Sequence, residues 1–97
     1  MKIEDIDLDE QYEKARTGLA NSTKNSHQLF LDELGVYPNE VSSVNEWVRV
    51  TFNGTDKRSY LVETNLGLFS PDGERLGYYC LHEDQDGGVI DDFLVFE

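Results

Sequence analysis

The chain has a single cysteine, Cys80. No internal disulfide can form, and no zinc quartet can be built from Cys and His when His27 and His82 are the only histidines. A reducing, cytoplasmic setting is the expectation that goes with one unpaired thiol. No apolar run approaches the ~20 residues of a membrane span. The stretch from Met1 to Glu10 is acidic and has no apolar h-region, so no signal peptide is expected. GxGxxG, P-loop, GxSxG and HExxH patterns are all missing, so nothing in the sequence points to a nucleotide site or a hydrolase, and no enzyme is expected. There is no internal repeat and no low-complexity segment.

Positive charge is also scarce. Eight Lys and Arg face 20 Asp and Glu, for a net charge of −12. Phosphate backbones and anionic membrane surfaces both require Lys and Arg, so direct nucleic-acid or membrane binding is not expected. A basic protein partner, a cation or plain solubility fits the sign better.

The charge is present mainly at the two ends. Residues 1–13 hold six acids and one base, and residues 76–97 hold six acids and no base. The middle, residues 14–75, is close to neutral, with eight acids and seven bases.

Leu8, Tyr12, Ala15 and Leu19 fall at helical spacing, with Asp7 placed to cap the helix. Asp9, Glu10 and Glu13 lie in its first turns, where the helix dipole favours acids, and Lys14 sits four residues after Glu10 as its ion-pair partner. Gly18 and Asn21-Ser22-Thr23 mark the end or an interruption of this helix. A second helix is expected from about 24 to 34, capped by Thr23 or Asn25. His27, Phe30, Leu31 and Leu34 form its buried stripe, and Gly35 ends it.

From Val44 the period becomes two. Val48, Val50 and Phe52 alternate with Trp47, Arg49 and Thr51. Asn53-Gly54 and Ser70-Pro71-Asp72-Gly73 are turns, and Asn65 to Gly67 reads as a turn or bulge. Strands follow over Tyr60–Thr64, Leu66–Phe69, Gly77–His82 and Val89–Phe96. These short connections imply antiparallel pairing. The expected fold is α+β, two N-terminal helices packed on a four- to five-stranded antiparallel meander. One domain spans 1–97, with 1–7 as a candidate flexible arm, 8–35 helical and 44–97 the sheet.

The loop from His82 to Gly88 resembles a calcium loop only in composition. With Gly87 or Gly88 as the sixth position, the twelfth is Phe93 or Leu94 rather than Glu, so an acidic hairpin loop is the better reading. Cys80 and His82 share a strand face, but side chains two residues apart lie about 6.6 Å apart along a strand, too far for a direct nucleophile–base bond. A half-buried cysteine beside a solvated histidine accounts for them. No metal and no cofactor are expected.

The last strand is apolar on both faces toward its end and acidic at its start. It fits either a central strand or an edge that pairs with another chain, a homodimer included, with Asp91 and Asp92 as gatekeepers. Trp47 and one of Tyr78 and Tyr79 fall outside the core as candidate anchors for a partner, unless the sheet is covered on both faces.

The N-terminal acids have a local reason in the helix start, whereas the C-terminal ones have none that is local. The expected partner-binding residues are therefore Glu83, Asp84, Asp86, Asp91, Asp92 and Glu97, with Asp9, Glu10, Glu13, Trp47 and Tyr78 as neighbours. The expected function is a small acidic inhibitor of phage or mobile-element type. It would act as a nucleic-acid mimic in the basic groove of restriction, CRISPR or transcription machinery (anti-restriction or anti-CRISPR). Twelve charges equal roughly 20 Å of duplex. On one face of a body roughly 33 Å across, their density is about two-thirds that of DNA. The alternatives are an immunity or antitoxin-like partner of a basic toxic nuclease, an accessory domain kept soluble by its charge, and, last, a small enzyme or ligand binder.

Overall fold

The computed structural model describes residues 6–24, 27–54 and 56–97. Most of the expected N-terminal arm, the candidate cap Asn25 and the side chain of His27 lie outside this description. The elements are α1 (Leu8–Thr23), α2 (His27–Leu34), a 3-10 turn (Pro38–Glu40), β1 (Ser42–Asn53), β2 (Asp56–Phe69), β3 (Arg75–Glu83) and β4 (Val89–Phe96). Among the described residues the sheet has four antiparallel strands in the order β1-β2-β3-β4. The class is α+β, and β4 is an edge strand rather than a central one.

Asp7 opens α1 as expected. Its Oδ1 accepts from the backbone N–H of Asp9 at 3.0 Å and of Glu10 at 3.4 Å, satisfying two of the donors that a helix start leaves free. The helix does not stop at Gly18 but runs on to Thr23. Gly18 is there for close approach: a Cβ at this position would lie 2.2 Å from the Tyr79 hydroxyl oxygen.

The buried seam of α1 also differs from the expected stripe. Leu8 is 57% exposed, while Gln11 and Ala15 are buried. The seam is Gln11, Ala15, Gly18 and Ser22, also at helical spacing, with Tyr12 and Leu19 flanking the core cluster of Ala15, Leu66, Tyr79 and Leu81. Three of the four seam residues are small, which lets the helix axis sit close to the sheet. The larger apolar residues then close the sides rather than the centre. α2 contributes Phe30, fully buried and edge-on to Phe96 of β4 with ring centroids 5.1 Å apart.

Asn65–Gly67 is not a turn. β2 continues through it, pairing Asn65 with Cys80 and Gly67 with Tyr78, so the two short strands expected there are one. The irregularity falls instead on β1, where Glu46 is an extra residue between Asn45 and Trp47. Its carboxylate accepts from Asn65 Nδ2 at 2.8 Å and from Arg75 Nη2 at 3.1 Å. It also passes directly over Gly67, where a Cβ would lie 2.4 Å from Glu46 Oε2. Gly67 thus makes room for the Glu46–Arg75 ion pair to cross the strand.

Beyond the bulge the faces alternate. One carries Val62, Thr64, Leu66 and Leu68 with Tyr79, Leu81 and Leu94 beneath α1. The other carries Trp47, Arg49, Glu63, Asn65, Tyr78, Cys80, His82 and Phe93, and no described element packs on it. No described helix is long and apolar enough to cross a membrane.

Candidate functional site: a groove on the helix side and a polar open face

The expected site residues fall into separate groups. Glu10 and Glu13 of α1, Glu83 of β3 and Asp92 of β4 line one groove of about 660 Å³ between α1 and the β3–β4 hairpin. Asp84 and Asp86 lie in the hairpin turn beside it, and Asp9 stays exposed on the first turn of α1. Asp91, Glu97, Trp47 and Tyr78 belong to the opposite, open face. The eleven residues therefore do not form one surface, because alternation along β4 sends Asp91 and Asp92 to opposite sides.

Most of the C-terminal acids also have structural partners that the sequence did not reveal. Asp84 Oδ1 accepts from the N–H of Asp86 at 2.9 Å and of Gly88 at 2.8 Å, closing the hairpin turn. Asp92 Oδ2 accepts from Tyr79 Oη and from Ser22 Oγ, both at 2.8 Å, tying β4 to β3 and to α1. Glu97 accepts from Arg75 Nε at 3.2 Å, and Asp91 accepts from the N–H of Asp92 at 2.8 Å. The expectation that these acids lack a local structural reason is corrected for Asp84 and Asp91, whose donors lie within four residues, while Asp92 and Glu97 are held by groups distant in sequence.

Glu83 departs furthest from expectation. Only 1% of it is exposed, so it does not act as a surface charge. Its Oε2 accepts from Lys14 Nζ at 3.2 Å, which replaces the pairing expected between Lys14 and Glu10. Its Oε1 has no hydrogen-bond partner among the described residues. A buried carboxylate needs a counter-charge and donors for its lone pairs, and here one oxygen still lacks a donor. Within the groove the four acids outnumber Lys14, leaving a net charge of −3. Tyr79, Leu81 and Val89 give it apolar walls. Burial first, then the bond to Asp92, pushes the Tyr79 phenol up from its ordinary range, so it remains a donor.

The open face is a shallow cavity of about 590 Å³. Its charges nearly balance: Glu46, Glu63 and Glu97 face Arg49 and Arg75. Arg49 pairs with Glu63 and lies 4.8 Å above the Trp47 ring. Trp47, at 38% exposure, thus has an intramolecular cation partner.

Here the cross-strand register adds what the sequence lacked. Glu63 of β2 lies opposite His82 of β3 and diagonal to Cys80, and the potential ligand atoms of Glu63, Cys80 and His82 lie within 4.8 Å of one another. The sequence singled out Cys80 and His82 but had no means of choosing Glu63, since strand register is a property of the folded sheet.

The thiol is not an activated nucleophile. Burial, then the Glu63 charge, pushes Cys80 up to about 11. Below pH 9 its thiolate population should be about a hundredfold below that of a cysteine at 9.0, one decade per pH unit. Iodoacetamide labelling of the folded chain at pH 8 should be slower than that of the urea-unfolded chain by at least about tenfold. Equal rates would show an accessible thiolate.

No family model, curated protein or solved structure matches this chain.

Proposed function

We propose that the chain is a small acidic protein-binding inhibitor that receives a basic segment of a nucleic-acid-binding protein in the groove between α1 and the β3–β4 hairpin. The observation that carries this reading is the meeting of acids from both ends of the chain, Glu10 and Glu13 with Glu83 and Asp92, along one groove. An arginine entering it would meet the exposed carboxylates of Glu10 and Glu13 on the rim and apolar walls for its stem, with Asp92 on the β4 side.

Local recognition is favoured over imitation of a whole duplex. The molecule is 45 Å long, and a duplex of that length carries about 26 charges. Even with all twelve net charges on one face, the density would be about half that of DNA, and the acids are in fact divided between two faces.

The test uses a labelled nona-arginine peptide in fluorescence anisotropy over a salt series. Binding should weaken steeply with salt. Combining Glu10→Gln, Glu13→Gln and Asp86→Asn should weaken it about tenfold, at a few tenths to one kcal/mol per rim charge. Neutralising the exposed acids Glu33, Asp72 and Glu74, which removes the same charge elsewhere, should change it less than about twofold. Equal losses from the two triple variants would reduce the acidity to a general solubility device.

A further inference from the structure

We infer that the open sheet face carries a binding site for a borderline-soft divalent transition-metal ion of the Zn²⁺ type, with Glu63, Cys80 and His82 as its protein ligands. The three side chains offer a carboxylate oxygen, a sulfur and an imidazole nitrogen, all within 4.8 Å of one another. In a tetrahedral zinc site, bonds of about 2.0–2.3 Å place neighbouring ligand atoms about 3.3–3.8 Å apart. The three therefore need to close by about 1.0–1.5 Å to hold an ion.

The surroundings suit an ion. Glu63 is 6% and Cys80 4% exposed, yet both line the open-face cavity together with His82, so the ligands are desolvated but reachable. The His82 ring rests edge-on against Phe93, with centroids 4.9 Å apart, which limits its rotation. Arg49 holds Oε2 of Glu63 and so acts as an outer partner orienting the carboxylate, as supporting groups do around metal ligands. A bound divalent ion takes the place of the thiol proton, since a coordinating thiol is deprotonated outright.

Sulfur and imidazole among the donors select zinc-like ions over calcium and magnesium, which require oxygen ligands. Three protein ligands would leave the fourth position of a tetrahedral ion to water. This site lies on the opposite side of the sheet from the acidic groove and does not depend on it.

The test uses the reduced, chelator-treated full chain titrated with CoCl₂ and, in competition with a chromophoric chelator, with ZnCl₂. One Co²⁺ per chain should bind, with a thiolate-to-cobalt charge-transfer band in the near ultraviolet and visible bands of tetrahedral intensity. Cys80→Ser should abolish the charge-transfer band, and His82→Ala and Glu63→Gln should each weaken Zn²⁺ binding by more than about tenfold. Asp72→Asn, in the exposed β2–β3 turn, should leave binding unchanged. A wild-type chain that is folded by circular dichroism but gives no charge-transfer band overturns the site, whatever the variants do. A band that survives Cys80→Ser, or Zn²⁺ binding indifferent to His82 and Glu63, overturns the ligand set.

Discussion

A Lys14→Met chain is expected to be about 3 kcal/mol less stable than the parent and to melt roughly 12–24 °C lower. Methionine keeps the helix propensity and most of the stem's apolar contact. What it removes is the charge opposite Glu83, a carboxylate 99% shielded from solvent with one oxygen already lacking a donor. An uncompensated buried charge usually costs about 3–5 kcal/mol. The Lys14 side chain is itself 35% exposed, so water reaches part of the site and the lower end applies. The reverse substitution, Glu83→Gln, should cost less, because the lysine left behind can turn to solvent. Adding Glu83→Gln to Lys14→Met should therefore restore most of the loss. Urea melts of the four chains test this, and a Lys14→Met chain within about 1 kcal/mol of the parent would mean that Glu83 is satisfied some other way.

Gly18→Ala should destabilise the fold by about 2–4 kcal/mol, although alanine is the better helix former by about 1 kcal/mol. The new methyl group would lie 2.2 Å from Tyr79 Oη and 3.2 Å from Cζ. Tyr79 is fully buried and its hydroxyl is tied to Asp92. The ring can make room only by giving up that bond, which at a charged acceptor is worth about 1.5–3 kcal/mol, and by straining a packed core for about 1–3 more. Removing the hydroxyl should relieve the clash: Gly18→Ala should cost much less in a Tyr79→Phe background, where the nearest ring atoms are at ordinary or slightly tight contact. A double-mutant cycle measures the difference, and strict additivity would remove Tyr79 as the reason for Gly18.

Much of the architecture was legible because it rests on neighbours in the chain. Asp7 as a cap, the turn at Ser70–Gly73, the hairpin at Asp84–Gly88 and the span of β4 all follow from local chemistry and a period of two. The errors fell where a distant group decides the outcome. Gly18 and Asn65–Gly67 carry the signals of breaks, yet both lie inside regular elements because Tyr79 and Glu46 approach them from elsewhere in the fold. The seam of α1 passes through Ala15, Gly18 and Ser22, whose small side chains allow close approach to the sheet, while the more apolar Leu8 stays exposed.

The candidate sites divide in the same way. The strong acidity, the gathering of acids near the two ends and the placement of Cys80 and His82 on one side of a strand can all be read from the order of residues alone. Those are matters of composition and alternation. Folding in three dimensions sets which acids share a groove, which are consumed by Lys14, Arg75, Tyr79 and Ser22, and that Glu63 joins Cys80 and His82 across two strands. Pairing register and helix rotation are set by the packing of the whole core, and a difference of one residue in either would send a different set of charges to each face.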